Sequence, residues 1–127
     1  MKKILKNNPY KLSIIWALII LGLCSMPGRF IPTVSWLELL SFDKWVHAGI
    51  FFILVSLLSL GVLIHKQSAL LIIVFCFLCI VYGGLLEIMQ AKLFSQRSAD
   101  WQDFVANTFG CLMAFTFYKK ITNVILK

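Results

Sequence analysis

The sequence predicts an all-α, polytopic membrane protein: a bundle of four transmembrane helices with both termini in the cytoplasm. Three observations predict it. Of the 127 residues 61% are hydrophobic and 13% charged, with a mean hydropathy of +0.92, whereas a soluble domain is nearer half apolar and a quarter charged. Four apolar runs approach the ~20 residues that a ~30 Å hydrocarbon core requires. Basic residues gather around some connecting segments and avoid acids there, which is an orientation signal.

The runs are taken in order, within one domain spanning 1–127, with helices expected at about 12–26, 45–64, 69–88 and 102–118. The first, Leu12–Met26, follows Lys2, Lys3, Lys6 and Lys11. Such a basic start would suit a signal peptide. No small-x-small cleavage site precedes Pro27, and Leu23 is too bulky for a lipoprotein attachment at Cys24, so the segment is read as a retained helix. Trp45–Ile64 is long enough to span unaided. Ala69–Leu86 carries Cys76 and Cys79 in a C-x-x-C among Phe75, Phe77 and Leu78. No basic or metal-binding neighbours surround that pair, so its thiols read as small packed apolar groups rather than a redox or zinc site. Phe104–Tyr118 is short, like the first run. Tyr10, Trp101 and Tyr118 extend these two into the interface, where aromatic rings sit well. No segment alternates with a barrel period, no internal repeat is present, and the loops leave no room for a soluble domain.

The N-terminus, the "HKQS" loop with Lys66 and the tail with Lys119, Lys120 and Lys127 contain no acid. The other two loops are mixed. Positive-inside bias therefore puts both termini in the cytoplasm, and the net charge of +7 is mostly this orientation signal. It suits anionic inner-leaflet lipid. Nucleic acid is not an expected partner, because no basic patch with interleaved aromatics exists.

This topology places all five acids, Glu38, Asp43, Glu87, Asp100 and Asp103, on the outer side, with His47, Gln90, Arg97 and Asn107. Helical spacing decides which of them can meet. Asp43 and His47 are i, i+4 at the mouth of the second span. Gly83, Glu87 and Gln90 share a face of the third. Asp100, Asp103, Asn107 and Gly110 form one stripe on the fourth. Gly83 and Gly110 permit close backbone approach beside these stripes. Carboxylates facing lipid are costly, so the three polar faces should turn toward one another. The second and fourth helices both start on this side, and their N-termini favour anions. Ser41 is a candidate cap for the second, and Ser98 or Asp100 for the fourth. With Lys44 and Arg97, the cluster suits an anionic or zwitterionic head group, Arg97 acting as a fork for phosphate or carboxylate.

Three linked pieces, "DKWVHAGIFF" (Asp43–Phe52), "GGLLEIMQ" (Gly83–Gln90) and "RSADWQDFVANTFG" (Arg97–Gly110), resemble the VanZ-like family, small membrane proteins named after a teicoplanin-resistance protein. The pattern is Asp-Lys with a His three residues on, then E-x-x-Q, then Arg before D-x-x-D-x-x-x-N-x-x-G. The resemblance runs from about Met26 to the C-terminus. It implies a multi-pass protein of the bacterial cytoplasmic membrane and cell envelope, with Asp43, Lys44, His47, Glu87, Gln90, Arg97, Asp103, Asn107 and Gly110 as the positions to carry over. It links the chain to glycopeptide resistance without supplying a biochemical activity.

Each residue also has a purely structural role available. Asp43 would satisfy His47 and anchor a helix end, or His47 would carry a proton or ligand. Glu87 would bridge to Arg97 or Lys44, but a carboxylate inside an apolar segment is by default a functional group. Asp103 and Asn107 would serve as helix-start acid and interhelical glue. Arg29, Glu38 and Lys92 read as ordinary loop charges, and His65 and Lys66 as interfacial. Three functions remain open. The cluster recognises an envelope lipid, a peptidoglycan-related head group or the glycopeptide that targets it. Alternatively it is an enzyme site, with His47, Glu87 and Asp103 as candidate acid–base groups or as ligands of a divalent cation polarising a phosphate, although the spacing is no dedicated metal signature. In the third, the residues lock helices in a scaffold. Transport is disfavoured, because a one-sided cluster among four helices leaves no path across.

Overall fold

The computed structural model describes residues 2–24, 42–93 and 101–126. Every regular element among them is an α-helix: α1 (Lys2–Asn7), α2 (Pro9–Cys24), α3 (Phe42–Ile64), α4 (Leu70–Leu93) and α5 (Trp101–Leu126). The expected segments 45–64 and 102–118 fall within helices of longer bounds; 69–88 does so from Leu70 onward, and 12–26 does so as far as Cys24, with residues 25 and 26 outside the described ones. α2 begins at Pro9, which lacks an N–H and so suits a first helical position. Before it, α1 is a short basic helix that the apolar pattern did not indicate. α5 runs on through Lys119 and Lys120 to Leu126, past the expected end at 118. The reason is that its inward stripe continues at helical spacing through Tyr118, the buried Thr122 and the half-buried Ile125.

Trp45–Ile64 and Leu70–Met89 are each long and apolar enough to cross a bilayer; Pro9–Leu23 is a shorter apolar helix. Only 39% and 33% of the two long spans are buried within the protein. Much of the rest is exposed apolar surface, such as Ile73, Phe77, Val81, Leu85 and Ile88 along α4. Exposed apolar surface of this kind, among the described residues, suits lipid.

Side-chain pairs set the directions of packing. Tyr10 lies against Gly61 and Trp16 Nε1 donates to the Ile50 carbonyl at 2.8 Å, so α2 and α3 are antiparallel. Tyr10 meets Phe75 edge-on, and the Tyr82 hydroxyl donates to the Ala17 carbonyl at 2.7 Å, so α2 and α4 are parallel. α3 packs most extensively on α5 and sits centrally, touching α2 and α4 as well. Ile20, Phe51, Leu54, Val55, Leu86 and Ala114 form the core, with Cys76, Cys79 and Cys111. The three thiols are free and buried, and Cys76 Sγ reaches the Cys111 carbonyl at 3.7 Å. The packing role read for the C-x-x-C is the one they fill.

The α3–α4 connection is a tight turn. Gln67 N bonds Val62 O at 2.9 Å and Lys66 N bonds Leu63 O at 3.2 Å, with Lys66 at φ 53°. This is a Schellman ending with a lysine where glycine is usual. Ser68 then opens α4, its Oγ accepting from Leu70 N at 3.2 Å. Tyr10 covers the turn from α2, stacking on His65 and donating its hydroxyl to Gln67.

Candidate functional site

Three polar side chains inside the apolar helices, those of His47, Glu87 and Asn107, lie toward the end of the protein opposite the α3–α4 turn. His47 on α3 and Asn107 on α5 are joined directly, with Nδ1 and Oδ1 at 3.1 Å. An amide oxygen accepts, so in this arrangement His47 carries its proton on Nδ1. Asn107 is 1% exposed, and its Nδ2 lies on the α4 side against Gly83. A Cβ at Gly83 would stand 3.0 Å from that Nδ2 and 3.2 Å from Asn107 Cβ. Gly83 thus makes the space in which a buried asparagine reaches across from α5.

A second close approach fixes the same level. At Gly110 an added Cβ would run into the Ala48 carbonyl oxygen, so the α3 and α5 backbones touch there. The pairs His47–Asn107 and Ala48–Gly110 make α3 and α5 parallel. Gly83–Asn107, Gly84–Phe104 and Cys76–Cys111 make α4 and α5 antiparallel. Extending both registers by one turn brings the backbone positions of Asp43, Glu87 and Asp103 to a common level just beyond His47, Gly83 and Asn107.

Glu87 is 6% exposed, a carboxylate inside the packed helices. It and His47 both have interacting partners beyond the His47–Asn107 bond. The helices α3 and α5 start at this end, so their N-terminal N–H groups and partial positive charge face the level of Glu87. On the other side the polar cluster stops at Phe51, one turn inward from His47. Its ring is fully buried, would lie 3.4 Å from a Cβ at Gly83, and tilts against Tyr82. That apolar floor separates the cluster from the rest of the helix packing.

Of the residues expected in the site, His47, Asn107 and Gly110 meet at the α3–α5 contact, and Glu87 lies buried one turn beyond Gly83 on α4. Asp43, Lys44, Gln90 and Asp103 occupy helical positions at this end, with side chains outside the described ones; Arg97, Asp100, Ser98 and Ser41 lie outside the described residues altogether. Among the described residues no three His, Cys, Asp or Glu side chains gather into a group able to hold a metal ion. His47 and Glu87 are the described members of the candidate cation set, and Asp103 is its third.

Ala48 and Phe51 were not singled out by the sequence. Ala48 had a signal, a small residue beside His47 to match Gly110. Phe51 had none, since it reads as one apolar residue among many. Comparison with protein-family models, with curated proteins and with solved structures gives no match.

Proposed function

We propose that the chain is a VanZ-like, four-span protein of the bacterial cytoplasmic membrane with both termini cytoplasmic. Its outward-facing polar site recognises an anionic or zwitterionic head group, from an envelope lipid, a peptidoglycan-related precursor or a glycopeptide of the teicoplanin kind. The observation that carries this is the part-buried His47–Asn107 pair, its asparagine fully buried, with the buried Glu87 one turn beyond Gly83, on three different helices. Such groups are expensive inside apolar spans and are retained where they bind or react. The parallel start of α3 and α5 adds anion-favouring helix ends at the same place. Lys44, Gln90, Arg97 and Asp103 complete the site, with membrane lipid as the surrounding partner.

A second reading has its own observation. The Gly110–Ala48 contact and the His47–Asn107 bond both tie α3 to α5, which is what a structural helix lock does. Glu87→Gln, His47→Ala and Asp103→Asn separate the two. Binding of a lipid-linked phosphate head group is measured beside unfolding in detergent, with teicoplanin susceptibility of producing cells as a further readout. The site reading expects lost binding at near-normal stability. Collapse of all three variants makes the cluster a lock. Phosphate release from the lipid would make the same residues catalytic, with His47, Glu87 and Asp103 as acid–base groups or divalent-cation ligands.

A further inference from the structure

The opposite end of the protein carries a second feature. α2 and α4 meet at Tyr82–Ala17 and at Tyr10–Phe75. Between these points they leave an open groove of about 210 Å³ walled by Ile14, Ala17, Phe75 and Leu78 and floored by Leu54 and Leu58 of α3. A second pocket of about 360 Å³ shares Ile14, Leu58 and Phe75 with it and extends it to Tyr10, Gln67 and Leu71, at the α3–α4 turn.

The groove is dry by construction. Each hydroxyl along it is turned to another protein atom: Ser13 donates to the Pro9 carbonyl at 2.8 Å, Tyr82 to the Ala17 carbonyl, and Tyr10 to Gln67. An occupant of the inner pocket therefore finds apolar walls, and the outer pocket adds the Gln67 amide at its turn end. The mouth differs. Lys11 follows Tyr10 and Lys66 precedes Gln67, the hydrogen-bonded pair that lines the outer pocket, and both lysines are exposed. An apolar groove whose outer pocket is flanked in sequence by two cations matches one chemistry, a hydrocarbon chain attached to an anionic head.

We infer that this groove binds an acyl chain of an anionic phospholipid, with the lipid phosphate held at Lys11 and Lys66. The inference rests on the membrane-spanning reading of α2, α3 and α4, and is independent of the His47–Glu87 site. Under the orientation proposed above, the lipid comes from the cytoplasmic leaflet, where anionic lipid is enriched.

The test is native mass spectrometry of the full chain, purified in detergent and supplied with dioleoyl phosphatidylglycerol or dioleoyl phosphatidylcholine. Phosphatidylglycerol is expected to be retained in preference. Lys11→Gln and Lys66→Gln, both at exposed positions, should each weaken its retention about fivefold and leave phosphatidylcholine unchanged. Ile14→Trp, at the groove edge and itself exposed, should reduce retention of both lipids. Equal retention of the two lipids, lysine variants that behave as wild type, or an Ile14→Trp protein with normal retention would each overturn the inference. So would a dimer that buries the groove and excludes lipid. A chain that is soluble without detergent would overturn the membrane reading as well, so the two failures are distinguishable.

Discussion

His47 and Asn107, 60 residues apart, are joined by a 3.1 Å bond between Nδ1 and Oδ1 that links α3 to α5 inside the apolar helices. Interhelical hydrogen bonds in membranes average ~0.6 kcal/mol and reach ~1.7. A double-mutant cycle with His47→Ala and Asn107→Ala should therefore give a coupling of about 1 kcal/mol in detergent unfolding. Asn107→Ala alone should cost more, about 1–3 kcal/mol, because it removes a buried acceptor and opens space beside Gly83. A coupling near zero would show that the two side chains act independently.

The glycines make a graded series. Gly110→Ala drives a methyl into the Ala48 backbone, which cannot yield as a flexible side chain would. It should destabilise by about 3 kcal/mol, the upper end of overpacking costs. Gly83→Ala meets the Asn107 side chain, which can shift, and should cost about 1 kcal/mol. Gly49→Ala meets open space and should be neutral or stabilise by up to ~1 kcal/mol through helix propensity. Urea or dodecyl sulfate titration of all three reads the order directly; a reversed order would refute the close approach at Gly110.

The α3–α4 turn offers changes of opposite sign. Lys66 adopts the left-handed conformation that costs a non-glycine residue ~1–2 kcal/mol. Lys66→Gly should raise thermal stability by about 1 kcal/mol, while Ser68→Ala should lower it by about 1 kcal/mol through loss of the α4 cap. Thermal unfolding followed by circular dichroism checks both.

Orientation is open to thiol labelling. In a chain whose native cysteines are replaced by alanine, a membrane-impermeant maleimide should modify Arg97→Cys in intact cells. Gln67→Cys, next to the covered turn, should react only after the membrane is opened. Labelling in the reverse pattern would put the His47–Glu87 cluster on the cytoplasmic side and overturn its proposed role toward the envelope.

Much of the helical architecture was legible because long apolar runs show in composition. Trp45–Ile64 and Leu70–Met89 announce themselves by length and hydropathy alone. Helical spacing put Glu87 on the Gly83 face and Asn107 on the Gly110 face, and the three helices do bring these residues to one end. The limits were at helix ends, where the apolar signal fades. Lys119 and Lys120 marked an end by charge, yet α5 continues because its inward face still has a stripe to bury. α1 carries too few apolar residues to register at all.

By itself, the sequence determined that the chain is helical, which segments are apolar enough for lipid, and which polar residues share a helical face. Those properties depend on composition and on neighbours within a turn or so. Only the tertiary structure decided partners across helices. Spacing by i, i+4 puts Asp43 beside His47 on one helix; the bond from its Nδ1 to Asn107 on another helix is set by contact at Gly110 and Ala48, which fixes the axial register of α3 on α5. The Tyr10 cover on the turn, the Phe51 floor and the groove between α2 and α4 follow from the same cause. Each depends on the rotation and offset of one helix against another, which is fixed by where small residues let two backbones touch and not by the periodicity of either helix.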